Sequence, residues 1–329
     1  MENFQIYRDI QARTGGDIYI GVVGPVRTGK STFIRRFMEI AALPQMSERK
    51  QAEIRDQLPL SGSGKIITTV EPKFIPKEAV SVSLGTEQKV RVRLIDCVGF
   101  LVKDAGGNME DGKERMVRTP WSEKAIPFHE AARIGTQKVI EEHSTIGLVI
   151  TSDGSFGELP RENFTEAEEK TIQELKKQHK PFLVLVNSQM PYKEAAQKAV
   201  SEIQEKYQVT ALSVNCDQLH KEDIAQILEK ILYEFPVSQI QFFIPKWVEM
   251  LPADHELKKQ LLEQIREKTK HLFQIRDITK EAIQLSGPYV KDSLLEDTGL
   301  SDGTVKVRVR IQDKYYYQML SQMSGTQME

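Results

Sequence analysis

Gly24-Pro25-Val26-Arg27-Thr28-Gly29-Lys30-Ser31 is the stretch that decides the fold. It satisfies G-x-x-x-x-G-K-[ST] in full, a pattern that chance places in roughly one chain in a hundred of this length. Its flanks supply the context the pattern needs. Ahead of it, Ile18 to Val23 is a continuous apolar run, the signature of a strand buried on both faces. Behind it, Phe33, Ile34, Phe37, Met38 and Ala41 recur at helical spacing across residues 30–42. Strand, Gly-rich loop and helix together make a phosphate cradle. Glycines let the backbone turn its N–H groups toward phosphate oxygens, and the helix N-terminus adds a favourable partial charge.

The residue types then assign roles. Gly24, Arg27, Thr28, Gly29, Lys30, Ser31 and Thr32 are candidate nucleotide-binding residues. Lys30 is expected to reach the β and γ phosphates, and the Ser31 hydroxyl to ligate Mg²⁺. Further on, Val80 to Leu84 and Lys89 to Leu94 alternate around Gly85-Thr86-Glu87-Gln88, which reads as an antiparallel hairpin. Its second strand ends at Ile95-Asp96, followed by Cys97-Val98-Gly99. An Asp at a strand end in D-x-x-G, placed after a phosphate loop, holds Mg²⁺ through water, and the Gly99 amide senses the γ phosphate. A switch threonine must lie between the two motifs, and Thr68 and Thr69 both fall there. The candidate catalytic set is Lys30, Asp96, Thr68 and Thr69; the metal set is Ser31, Thr69 and Asp96. The plain alternatives are a strand-end turn for Asp96 and a surface turn for the threonines.

The base site is informative by what it has lost. A guanine-specific protein of this topology carries N-K-x-D after the corresponding strand, where the Asp accepts two hydrogen bonds from guanine. Here Phe182 to Val186 runs into Asn187-Ser188-Gln189-Met190. Asn187 remains a binding candidate, or a strand-end turn residue. Met190 cannot accept those bonds, so the site argues for adenine or for laxity. The expected cofactors are ATP and Mg²⁺. After Gly99 comes Phe100 where some relatives place a water-orienting Gln, so hydrolysis is expected to be slow or assisted. Arg27 and Lys65 are candidates for stabilising transition-state charge, set against a solvated role.

The rest of the chain alternates. Residues 3–13 read as a short amphipathic helix, 45–64 and 102–127 as loops, Ala131 to Glu142 as a helix and Thr145 to Thr151 as a buried strand. Thr165 with Glu168 reads as a capping box opening a helix to about Gln178. Another helix is expected to open with Pro191, a strand to cover Thr210 to Val214, and a helix to carry Ile224 to Leu232. This predicts an α/β fold of the P-loop NTPase class, GTPase-like and TRAFAC-type, with a mostly parallel sheet and helices on both faces. The nucleotide-binding domain is expected over residues 1–237 and a smaller α+β middle domain over 238–329. In the latter, 254–280 reads as one long charged helix, Val305 to Ile311 as a strand and Asp313 to Met323 as a helix. Lys306, Arg308 and Arg310 share one face of that strand, and a solvated face is favoured over an anion patch. So short a strand needs partners, and sequence beyond Glu329 is their expected supplier.

Composition excludes several classes. The chain has 329 residues, 45 Lys plus Arg, 47 Asp plus Glu and a net charge of −2, so it carries no bulk basic field for nucleic acid. No apolar run approaches the ~20 residues of a membrane span, so no transmembrane segment is expected. Two cysteines cannot build a disulfide framework, and the start lacks a secretory pattern, which together suit a reducing cytoplasm. The histidines are scattered without ligand spacing.

With these residues in view, the chain also resembles a known family. Arg13-Thr14-Gly15-Gly16-Asp17-Ile18-Tyr19, Val26 to Phe33, Glu71-Pro72-Lys73-Phe74, Ile126 to Ala132 and Glu142 to Gly147 look like the stage IV sporulation protein A family of spore-coat morphogenetic ATPases. The resemblance is dense to about residue 237 and looser beyond. It implies ATP hydrolysis on a GTPase-like fold and self-assembly into a homopolymer, the basement layer of the spore coat. It also implies a place in the mother-cell cytoplasm at the outer forespore membrane. Spore coat proteins and a small amphipathic forespore-membrane protein are the implied partners, through a C-terminal region that this chain is expected to lack. A truncated chain would then hydrolyse ATP yet polymerise poorly. Lys30, Asp96 and the threonines match the family's Walker A, Walker B and sensor positions. The family sets its threonines directly before a Glu, whereas Val70 intervenes before Glu71 here, so Thr68 and Thr69 both stay open. A regulatory GTPase and a nucleotide-binding module without turnover are the competing readings.

Overall fold

Ile18–Val23 forms β1, the strand from which the phosphate loop springs. The structure is a computed structural model and describes residues 10, 12–59, 71–82, 90–103, 105, 109–110, 113–157 and 159–324. Two compact units divide the chain, Met1–Leu232 and Tyr233–Glu329.

In the first unit, α1 (Lys30–Ala41) and α2 (Glu48–Arg55) follow β1. Then come β2 (Lys73–Val82), β3 (Val90–Asp96) and two small hairpins, β4 (Met109–Glu110) with β5 (Lys113–Glu114) and β6 (Met116–Thr119) with β7 (Ser122–Pro127). Helix α3 (Phe128–Lys138) widens into a π-helical turn at Val139–His143 before β8 (Ile146–Ser152). The rest is α4 (Glu162–Lys177), β9 (Phe182–Asn187), α5 (Glu194–Tyr207), β10 (Ala211–Val214) and α6 (Lys221–Tyr233).

One six-stranded sheet runs in the order β10-β9-β8-β1-β3-β2. Every neighbouring pair is parallel except β2 with β3. All residues of β8 and β9 are buried, so side chains pointing either way are covered, as a parallel sheet demands. On one face Val23, Val149 and Val184 pack with Ile172, Leu175 and Ile203 from α4 and α5. Register brings the carboxyl ends of the strands together: Val22 lies opposite Asp96, Val23 opposite Val149, and Ser152 opposite Asn187. The chain leaves β1 between β3 and β8, which is where open α/β sheets bind ligands.

The second unit holds β11 (Gln239–Phe243), α7 (Lys246–Glu249), α8 (Glu256–Thr269), α9 (Lys280–Ile283), β12 (Val290–Gly299), β13 (Thr304–Ile311) and α10 (Asp313–Ser324). Its sheet runs β11-β13-β12, with β11 parallel and β12 antiparallel to β13. The inward face of β13, Val305, Val307, Val309 and Ile311, is buried against Leu257, Leu261, Ile283 and their neighbours. Outward, Lys306, Arg308 and Arg310 pair across the strands with Asp297, Glu296 and Asp292.

Several expectations are corrected. β13 finds both its partners, β11 and β12, inside the chain, so no supply from beyond Glu329 is needed for that strand. Residues 48–55 are a helix rather than loop; strong helix formers carry it although Ile54 alone is buried, which left no apolar period to read. The 102–127 stretch contains the two hairpins, whose strands are too short to show alternation. The long 254–280 helix breaks after Thr269 into a 3₁₀ turn at Ile275–Asp277 and then α9. Thr165 and Glu168 form no capping box: α4 already begins at Glu162, the Thr165 hydroxyl donates back to the Glu162 carbonyl, and Glu168 is buried in a bidentate pair with Arg161. α5 starts at Glu194, with Pro191 in the preceding turn. The expected 3–13 helix lies largely outside the described residues, as do the 85–88 link and Lys65, Thr68 and Thr69.

Candidate nucleotide site

The phosphate loop is shaped by its glycines. Gly24 has φ 128° and Gly29 φ 95°. A Cβ at Gly24 would collide with the Ile150 carbonyl of β8, and one at Gly29 with the Asn187 amide. Gly29 is the N-cap of α1, and no side chain caps that helix, so its first N–H groups are left for an anion.

Lys30 is 5% exposed, and its ammonium donates to the carbonyls of Pro25 and Gly24. Beside it, the Ser31 hydroxyl donates to Asp96 Oδ2 at 2.9 Å. Asp96 Oδ1 is buried and has no hydrogen-bond partner. Burial lowers the Lys30 pKa from the ordinary lysine value, against the opposing charges of Cys97 and Asp96. Burial raises that of Asp96, against Lys30 and the Ser31 hydrogen bond. Burial also pushes the Cys97 thiol up to about 11. Lysine and carboxylate are both biased toward neutrality, the mark of charges held out of water without enough partners. A polyphosphate and a divalent cation would supply those partners. The donors fit Mg²⁺: a hydroxyl and an orphaned carboxylate oxygen are hard ligands, and this ion takes one or two protein oxygens plus phosphates.

The loop is tied down from below. The Thr28 hydroxyl lies 2.6 Å from the Ile150 carbonyl and 2.9 Å from that of Pro25. Asn187 uses both ends of its side chain, donating to the Thr28 carbonyl at 3.0 Å and accepting from the Cys216 N–H at 3.0 Å. It therefore clamps the phosphate loop to the β10–α6 loop. Val26 N–H donates to the Phe100 carbonyl at 3.0 Å, which joins the loop to the stretch after β3. The Phe100 side chain packs with Val26, Val102, Phe164 and Ala167, so it cannot orient water. Arg27 is exposed at φ 64°, and Thr32 sits half-buried in the first turn of α1.

Sequence reasoning missed two neighbours. Gly99 N–H donates to the Thr136 hydroxyl at 3.2 Å. Arg161 binds Glu168 and also the Thr151 hydroxyl and Ser152 carbonyl at the carboxyl end of β8. Neither residue lies in a motif, and their partners are distant in sequence or set by the turn before α4. At the base position Ser188 is buried and accepts from Met190 N–H, while the Met190 side chain is 53% exposed. No carboxylate stands at either position.

Lys30, Ser31, Asp96, Gly24, Gly29, Gly99 and Asn187 are thus brought to one end of the sheet. Comparison with known proteins fits this arrangement. Residues 1–236 match the family described as Stage IV sporulation protein A, ATPase domain, and residues 237–329 its middle domain. Stage IV sporulation protein A of Bacillus subtilis (strain 168) is 42% identical over 330 residues, 100% of this chain and 67% of that protein. Those of Bacillus anthracis and Clostridioides difficile (strain 630) are 40% and 44% identical, again with 67% of each relative covered.

Proposed function

The chain belongs to the stage IV sporulation protein A family, and on that footing we propose that it is a Mg²⁺-dependent P-loop ATPase that drives assembly of the spore coat's basement layer. The observation that carries the hydrolase reading is the Ser31–Asp96 hydrogen bond, set beside the buried Lys30 at an uncapped helix N-terminus. Among the described residues no helix is long and apolar enough to cross a membrane.

In this reading the α1 amides and Lys30 bind and orient the β and γ phosphates of ATP. Ser31 and Asp96, with Thr68 or Thr69, hold the metal. Mg²⁺, when bound, neutralises charge that develops on the phosphate oxygens. Asn187 and Thr28 keep the loop rigid, which spares reorganisation during reaction. Because Phe100 is packed away, the attacking water must be oriented by another group, and turnover is slow. The TRAFAC-type assignment rests on the strand order with its one antiparallel edge pair and on D-x-x-G at the end of β3. Residues 1–237 would serve as the catalytic domain and 238–329 as the middle domain. Self-assembly, the coat and forespore-membrane partners and the mother-cell location are proposed on family resemblance alone.

A module that binds nucleotide without turnover is the second reading, and the burial of Phe100 favours it. Phosphate release measured with ATP and with GTP separates the readings: release with ATP supports the first, binding without release the second. Release with GTP alone would restore a regulatory GTPase.

A further inference from the structure

Gly99 is wedged between two elements. A Cβ on it would strike the Gly24 carbonyl of the phosphate loop and come within 2.7 Å of Lys30 Nζ. Its amide, however, is directed to α3, where the Thr136 hydroxyl accepts it at 3.2 Å. Thr136 is fully buried, and its own proton goes to the Ala132 carbonyl one turn back at 2.8 Å. The hydroxyl therefore stays satisfied as a donor whether or not it also accepts from Gly99. Gly99 has φ 93°, a conformation open to glycine, and the neighbouring Phe100 carbonyl is fixed by Val26. The glycine at this φ leaves the peptide before Gly99 room to re-aim its N–H. Thr136 also sits just before α3 widens into the π-helical turn, an irregularity often found at functional sites.

We propose that Thr136 is a positioning residue that competes with the γ phosphate of ATP for the Gly99 amide, and so sets the preference for ATP over ADP. The proposal rests on the nucleotide reading above. Without a γ phosphate the amide stays on Thr136, and Gly99 is coupled to α3. With one, the amide passes to a charged acceptor, and Gly99 is released from α3. ADP offers nothing to exchange, so its binding leaves the Thr136 contact intact. The acceptor is lost in Thr136→Val, which keeps the shape and the β-branch, whereas Thr136→Ser keeps the acceptor.

The test is calorimetric affinity for ADP and for a non-hydrolysable ATP analogue, each with Mg²⁺, in the parent, Thr136→Val, Thr136→Ser and Lys30→Ala. Loss of one hydrogen-bond competitor should tighten the analogue about three- to ten-fold in Thr136→Val. ADP should change less than about two-fold, and Thr136→Ser should match the parent. Equal changes for both ligands, or weaker analogue binding in Thr136→Val, would overturn the proposal while leaving the nucleotide reading in place. Failure of the parent to bind either ligand more tightly than Lys30→Ala does would overturn both. Should Thr136→Val not fold, hydrogen exchange at Gly99 in the parent decides. The analogue, but not ADP, must alter exchange there; identical exchange with both ligands sinks the idea.

Discussion

The Ser31 hydroxyl donates to Asp96 Oδ2 at 2.9 Å, linking the first turn of α1 to the end of β3. The other carboxylate oxygen has no partner, and burial raises the Asp96 pKa. A raised native pKa means that the folded protein binds this proton more tightly than the unfolded chain does. Asp96 therefore contributes stability at low pH that is lost as pH climbs from the unfolded value through the native one. Ionising Asp96 in the free protein therefore works against the fold.

Asp96→Asn keeps an acceptor for Ser31 and removes the charge. Thermal unfolding without nucleotide should rise by ~2–4 °C, equivalent to about 1 kcal/mol. ATP turnover should fall at least about 100-fold, the scale of losing one preorganised charge-stabilising group. A lower melting temperature at neutral pH would contradict the electrostatic account.

Asn187→Ala should cost about 1–3 kcal/mol of unfolding free energy, because it leaves the Thr28 carbonyl and the Cys216 N–H without their partner. Denaturant unfolding measures it. Affinity for ATP should fall too, since the loop loses its clamp. An unchanged midpoint would show that the two loops hold each other without Asn187.

Unlabelled ATP should displace labelled ATP better than GTP does. Ser188 and Met190 stand where a guanine reader needs Lys and Asp, and Met190 offers no acceptor. Stronger displacement by GTP would contradict the base assignment.

Thr68→Ala and Thr69→Ala should divide binding from turnover. One of the two should cut hydrolysis strongly and affinity modestly, since in the proposed function phosphate affinity comes mainly from loop amides and Lys30. Normal hydrolysis in both single variants would remove these threonines from the mechanism.

Much of the candidate site is legible because the proposed chemistry fixes residue type and order. Lys30, Ser31 and Asp96 could be named from the sequence, and β1, α1, β8 and β9 followed from unbroken apolar runs or helical period. Other features left no period to read. β12 breaks its alternation with register shifts at Val290/Asp292 and Leu295/Asp297, so β13 looked partnerless. Helix α2 buries Ile54 alone. Thr136 meets Gly99 across 37 residues, a contact made by the fold and by no local pattern.

Lys30, buried against its own loop, is proposed to serve ATP hydrolysis. Phosphate release from ATP with Mg²⁺, measured for the parent and for Lys30→Ala after both are shown folded by circular dichroism, decides this role. Slow, Mg²⁺-dependent release is expected from the parent and none above background from Lys30→Ala. Equal release by the two proteins would contradict it.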